Sequence, residues 1–265
     1  MTAPEQDYSD VIALREELLG PSRTRELTAE EMREVGRVFY GSAAKMSLYG
    51  LSAAGMAAKG LRLLGRTAVE CTVDPYAVPV AEAVARLTEG PSRQGAFVAD
   101  LFCGSGNVGH HLGRRLGLPV HAAELDPDVH AVTHGNLAAA GSPVELEHGD
   151  YRDMLTRLGA RGDDDVYVVE PPWGEAIDEA GLDLFRTTPP VPEILDGILA
   201  SRGGRTCLCV IKTTTDIARD SLARSFAGSA HLDTVVPDLS RPPEARLVFH
   251  LHRLGSADAA PAARR

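Results

Sequence analysis

The sequence predicts an α/β protein: a mostly parallel sheet with helices on both faces. Three observations predict it. Short, continuously apolar runs alternate with helical patterns through residues 97–211. A glycine turn, Gly104-x-Gly106-x-x-Gly109, joins the first apolar run to a helix. A chain of 265 residues with 44% hydrophobic content can bury one large domain with a helical addition. Strands that are apolar throughout, rather than alternating, are those buried on both faces, as in parallel sheets.

Residues 1–72 read as a helical N-terminal extension. Val11, Leu14, Leu18 and Leu19 keep helical spacing, and Gly20-Pro21 ends that segment. Thr28-Ala-Glu-Glu31 has the pattern of a capping box, which opens a helix with Met32, Val35, Val38 and Phe39 on one face. Residues 46–64, rich in Ala, Leu and Met, predict a third helix despite Gly50, Gly55 and Gly60. The extension is expected to pack as a cap. The alternative is a substrate lid in which Tyr40 and Tyr49 supply ring contacts.

The main domain is expected over 73–254. Asp74-Pro75-Tyr76 punctuates the chain, residues 78–87 predict a helix, and 88–95 form a Gly/Pro/Ser-containing loop. Strands follow at 97–102, 120–123, 144–146, 166–169 and 206–211, with helices at 108–116, 128–140, 152–158, 191–200 and near 217–226. Two further strands, 232–236 and 247–251, have no helical pattern between them. An antiparallel pair at the sheet edge is therefore expected. The Ala/Pro/Arg-rich tail, 255–265, predicts disorder.

The net charge of −10 bears on partners. Phosphate contacts supply most non-specific affinity for nucleic acid, so a polyanion-binding protein usually shows a basic face. Here the only lysines are Lys45, Lys59 and Lys212, and the balance favours a small-molecule substrate over RNA. No apolar run approaches the roughly 20 residues that span a bilayer, so no membrane partner is expected. The acidic, polar start lacks the basic and apolar regions of a signal peptide. Cys71, Cys103, Cys207 and Cys209 match no disulfide or zinc-finger spacing, which points to a cytoplasmic protein with reduced thiols.

Glycines at 104 and 106 permit a tight turn and let a ligand approach the backbone, while the following helix start favours electronegative groups. Glu124 ends the second strand, where a carboxylate can bridge two ribose hydroxyls. NAD and S-adenosylmethionine both carry that ribose, and Asp100 separates them. An acid beside the loop repels a pyrophosphate, whereas a sulfonium nucleoside with an ammonium group benefits from it. Asp126-Pro127-Asp128 also reads as a helix cap with proline in the first turn. Asp150 can either accept from an adenine amino group or cap the next helix. Phe102 and Cys103 in the loop, Leu125 beside Glu124 and Tyr151 beside Asp150 complete the candidate cofactor contacts.

Glu170-Pro171-Pro172-Trp173 is the richest chemical signal. A strand ends in a carboxylate, then two prolines that donate no backbone hydrogen bond. The Glu170 carboxylate and the Pro171 carbonyl can therefore accept from one amino group and point its lone pair at an electrophile. Trp173 can stack on a planar substrate beside Pro172 or hold a cation. Glu170, Pro171 and Trp173 are the candidate catalytic residues.

Asp100-x-x-x-Gly104-x-Gly106, Glu124 and Glu-Pro-Pro-Trp resemble the motifs of class I S-adenosylmethionine-dependent methyltransferases. The last resembles that of the amino-methylating branch, which includes adenine-N6 and cap-guanosine N2 enzymes. Asp74-Pro75-Tyr76 is similar to a Thr-Pro element upstream in some of them. The resemblance, over residues 74–251, implies a Rossmann-like, seven-stranded sheet with one antiparallel edge strand. It also implies that Asp100, Gly104 and Gly106 hold the methionine part, Glu124 the ribose and Asp150 the adenine end. That branch has Asp, Asn or Ser where this chain has Glu170. The longer side chain moves the carboxylate by about one bond, and displacements of about 1 Å matter in such alignments.

The function expected is N-methylation of an amine, amide or guanidine nitrogen on a small planar molecule, by direct in-line transfer without metal or covalent intermediate. The alternatives are an RNA or nucleobase N-methyltransferase, an NAD-dependent oxidoreductase, and a binding protein that keeps the fold without chemistry. Other signals read as structural. His130 and His134 have i, i+4 spacing with no third ligand in view, and read as a solvated helix face. His250 and His252 read as an exposed edge, Cys207-x-Cys209 as buried thiols, and Asp163-Asp-Asp165 as a solvated turn.

Overall fold

The computed structural model describes residues 9–90, 93–237, 239 and 247–255. The N-terminal part comprises α1 (Ser9–Leu19), α2 (Ala29–Tyr40), a 3-10 turn (Ala43–Lys45), the hairpin β1 (Ser47–Leu48) and β2 (Leu51–Ser52), α3 (Ala53–Ala58) and α4 (Gly65–Glu70). Then come α5 (Asp74–Leu87), β3 (Val98–Asp100), α6 (Asn107–Leu116), β4 (Val120–Glu124), α7 (Pro127–Ala140), β5 (Val144–His148), α8 (Tyr151–Arg157) and β6 (Val166–Val169). A small hairpin, β7 (Ile177–Asp178) and β8 (Gly181–Leu182), precedes α9 (Val191–Ser201), β9 (Cys207–Thr214), α10 (Ser221–Ser225), β10 (Ala230–Val235) and β11 (Leu247–Leu254).

The main sheet has seven strands in the order β10-β11-β9-β6-β3-β4-β5. β9, β6, β3, β4 and β5 pair in parallel, and β11 pairs antiparallel with both β9 and β10. The expected antiparallel pair therefore closes one end of the sheet, with β10 outermost. All residues of β6 and β9 are buried, as the apolar sequence of β6 and of residues 207–211 predicts, and the buried end of β9 also carries Lys212, Thr213 and Thr214. Alternate side chains feed two cores. Val98, Val120, Val166, Val168, Leu208 and Val210 face one side, while Ala99, Ala123, Tyr167, Val169, Cys209 and Ile211 face the other with α8 and α9.

The N-terminal part shares the first of these cores. Met32, Val35, Phe39 and Tyr40 of α2 join Tyr76, Val80 and Phe249 in one buried cluster. The capping box is formed: Thr28 accepts from the Glu31 N–H while the Glu31 carboxylate accepts from the Thr28 N–H. The single helix expected over 46–64 is replaced by the β1–β2 hairpin and α3. Tyr49 and Gly50 both take positive φ, 57° and 76°, a turn that no helix contains, and Gly60 at 72° ends the segment after α3. Near 217–226 only α10 is helical. The expected tail falls outside the described residues, save for Gly255.

Two other expectations give way to burial. Asp165 is fully buried rather than solvated. Its carboxylate accepts from Arg202 at 2.9 Å, from the Arg161 N–H at 2.8 Å and from the Phe97 N–H at 3.3 Å, so it ties the starts of β3 and β6 to α9. His252 is 5% exposed rather than on an open edge. Its ring stacks on Phe226 at 4.0 Å, and its Nδ1 is 3.0 Å from the Ser229 hydroxyl. All four cysteines are free and buried. No described helix is long and apolar enough to cross a membrane.

Candidate active site

The C-terminal ends of the parallel strands carry the chemistry-bearing residues, the edge where ligands bind in open α/β sheets. Asp100 ends β3 and is 2% exposed. The backbone N–H groups of Phe102 and Gly109 hydrogen-bond its carboxylate. Gly109 explains how α6 comes so near: a Cβ there would lie 3.2 Å from Asp100 Oδ2 and 3.1 Å from Val120. Gly106, at φ 70°, starts α6 where a side chain would crowd Leu137 at 3.1 Å. Gly104 has open space where a Cβ would stand, and its N–H donates to Glu124 Oε2 at 2.9 Å. The Asp126 N–H donates to Glu124 Oε1 at 2.8 Å, so the ends of β3 and β4 share one carboxylate.

Three acids converge here. Burial is the main reason that the Asp100 carboxyl is pushed up to about 7, and the negative charges of Glu170 and Glu124 add to it against the two backbone donors. Burial likewise raises Glu124. Burial, with Asp100, Glu124 and Glu170 nearby, lifts the Cys103 thiol well above its ordinary range, which disfavours the thiolate and hence a nucleophilic role. A desolvated, negatively charged pocket favours a cation and disfavours a pyrophosphate. Its residues fit a sulfonium nucleoside better than the pyrophosphate of NAD.

Glu170 follows β6 directly. The register Val169↔Ile211 sets it beside Lys212 of β9, the next pair along. The Lys212 ammonium donates to Glu170 Oε1 and, at 3.2 Å, to the Glu70 carbonyl, and its Nζ lies 5.7 Å from the centroid of the Trp173 ring. The Thr72 hydroxyl donates to Glu170 Oε2 at 3.2 Å. Trp173 is half-buried and touches both cores. Pro171 is buried and Pro172 exposed, and the Pro172 carbonyl accepts from the Thr188 N–H at 3.3 Å.

Lys212 and Thr72 escaped the sequence reading. One signal was available: a lone lysine that ends the apolar run of β9, in a chain with three lysines. Asn107 was missed too. Its amide donates to the Thr72 carbonyl at 2.8 Å and Asp74 at 3.0 Å, and its Oδ1 accepts from the Tyr49 N–H at 2.7 Å.

The remaining candidates divide. Phe102 and Tyr151 come together with ring centroids 4.9 Å apart, and Leu125 beside Glu124 is 67% exposed, an apolar platform at this edge. Asp150 takes the capping place: it accepts from the Arg152 N–H at 2.8 Å and pairs with the Arg152 guanidinium at 2.9 Å. Asp126 caps α7 and pairs with Arg66 of α4. Tyr40 is 1% exposed, with Phe39 and Tyr76 edge-on to its ring, so it belongs to the core and not to the cleft. Tyr49 is buried beneath the glycine loop, where its hydroxyl donates to the Ser105 carbonyl. Among the described residues, no group of three or more His, Cys, Asp or Glu is placed to hold a metal ion.

No family model matches the chain, and no curated protein does. Solved structures do resemble it. MtNAS in complex with MTA and tNA aligns with a TM-score of 0.50 and 13% identity over 91% of this chain and 74% of that one. TrmN from Thermus thermophilus aligns with a TM-score of 0.46 and 24% identity over 71% of this chain and 51% of that one. The tRNA (uracil-54, C5)-methyltransferase of Pyrococcus abyssi, in complex with S-adenosyl-L-homocysteine, gives 0.43 and 19% over 68% and 38%. The chain thus spans about half of TrmN and less of the Pyrococcus enzyme. At these identities the likeness is one of fold. The chain has a Rossmann-like fold, a mostly parallel seven-stranded sheet with an antiparallel edge, and helices added at its N-terminus.

Proposed function

We propose that this protein is an S-adenosylmethionine-dependent methyltransferase that acts on an amine, amide or guanidine nitrogen of a small planar molecule. The observation that carries the reading is the convergence of Asp100, Glu124 and Glu170 around an open glycine loop, with Trp173 at the same sheet edge. When bound, S-adenosylmethionine supplies an electrophilic methyl group. Asp100 and the backbone at Gly104 and Gly106 hold its charged amino-acid end, Glu124 takes the ribose hydroxyls, and Leu125 with the Phe102–Tyr151 pair flanks the base. Glu170 Oε2 and the Pro171 carbonyl accept the hydrogens of the acceptor nitrogen and fix its lone pair, while Trp173 covers the planar substrate. The N-terminal part acts as a fixed cap, since Tyr49, Arg66 and Thr72 each bond to a loop of this edge.

The surface beside the site favours a small acceptor over RNA. Glu175, Asp178, Glu179, Asp216 and Asp220 are exposed on the segments after β6 and β9, and the exposed Arg186 and Arg219 there already pair with Asp178 and Asp220. A polyanion needs unpaired cations at such a rim. Calorimetry with S-adenosylmethionine and with NAD tests the cofactor: binding of the first alone is expected, and tight binding of NAD would overturn it. Incubation with methyl-labelled cofactor and separate metabolite and RNA fractions tests the acceptor, and label confined to RNA would reject the small molecule.

A further inference from the structure

We propose that Lys212 is a positioning residue for the acceptor loop, holding Glu170 Oε1 and the Trp173 ring so that Glu170 Oε2 faces the incoming nitrogen. The proposal deepens the function given above and rests on its assignment of Glu170. A buried amine is costly unless every N–H finds a partner. Lys212 is 7% exposed, and its three N–H directions have three destinations: Glu170 Oε1, the Glu70 carbonyl at 3.2 Å, and the Trp173 ring 5.7 Å away. The ammonium is used up by these contacts, which suits it to hold neighbours in place.

The arrangement follows from the fold. Parallel pairing of β6 and β9 puts Glu170 and Lys212 side by side just past Val169 and Ile211. The chain from Glu70 at the end of α4 to Thr72 then crosses the pair, with the Glu70 carbonyl on Lys212 and the Thr72 hydroxyl 3.2 Å from Glu170 Oε2. A compact ammonium satisfies three diverging partners, whereas the planar guanidinium of arginine presents its donors in one plane. That distinction explains a lysine here in a chain whose other basic residues are overwhelmingly arginine.

Trp173 is the only tryptophan, so intrinsic fluorescence reports this cluster in the ligand-free protein, whether or not methyl transfer occurs. Lys212→Met and Glu170→Gln, checked for native circular dichroism, are each expected to change the position or intensity of Trp173 emission. The double variant should match the more altered single. Lys212→Arg should restore emission only in part. Where methyl transfer is measured, Lys212→Met should lower kcat at least tenfold and leave S-adenosylmethionine affinity within about twofold, and the double variant should be no slower than the slower single. Wild-type emission in both singles, full restoration by arginine, or multiplicative losses in the double would overturn the positioning role. Should Lys212→Met fail to fold, Lys212→Arg and Glu170→Gln decide the matter by the same emission test. Loss of cofactor binding by the wild-type protein would reject the methyltransferase reading and leave the emission result intact.

Discussion

Asp100 makes the ligand-free protein sensitive to pH. In an unfolded chain its carboxyl ionises in the ordinary range near 4, whereas in the fold burial and two neighbouring acids push it up to about 7. Between those values the folded state binds more protons, so stability falls as pH rises from about 4 to about 7. Thermal denaturation across that range should show the fall, and Asp100→Asn should flatten it. A slope unchanged in the variant would assign the effect to other groups. A bound cation favours the ionised carboxylate, so S-adenosylmethionine should release protons on binding near pH 6. Calorimetry in buffers of different ionisation enthalpy measures that release. At this scale the sequence placed Asp100, Glu124 and Glu170 at strand ends, because residue type and position along a strand suffice for that. It did not pair Lys212 or Asn107 with their partners, which lie at 42 and 58 residues' separation, and it offered Tyr40 as a ring contact of a substrate lid, whereas the ring packs in the core.

At the scale of elements, the apolar strands were legible because composition alone decides burial on two faces. The strand expected over 166–169 has those bounds in the structure. Residues 46–64 were not legible, because their Ala/Leu-rich composition favours helix while one turn at Tyr49-Gly50 redirects the chain. The left-handed Tyr49 costs about 1–2 kcal/mol, and its bonds to Asn107 and Ser105 hold it there. The run Asp163–Asp165 misled for a different reason: its partner, Arg202, comes from the end of another helix. Removing one member of that buried pair strands the other charge, so Asp165→Ala should lower unfolding free energy by about 3–5 kcal/mol. Urea denaturation measures it. A loss below about 1 kcal/mol would mean that the pair is relaxed or hydrated in solution.

For the whole molecule, the N-terminal part is expected to behave as a wall of the site rather than a hinged lid. Its contacts reach three separate helices, α6, α5 and α7: the Tyr49 N–H donates to Asn107 at 2.7 Å, the Gly50 N–H to Asp74 at 3.0 Å, and the Arg62 N–H to Asn136 at 2.9 Å. Hydrogen exchange of the amides at 49, 50 and 62 in ligand-free protein should therefore be slow, and rapid exchange that slows only with cofactor would restore the lid. The ion pair at Asp165 gives the sheet a polarity of purpose. Asp165 precedes β6 and Glu170 follows it, so about 17 Å of strand separates this closed pair from the Glu170–Lys212 pair at the ligand edge. Mutational tolerance should divide along the same axis: changes at the starts of the strands trade in yield and melting temperature, changes at their ends in turnover. The first rim can then be redesigned for robustness without altering what the second rim recognises.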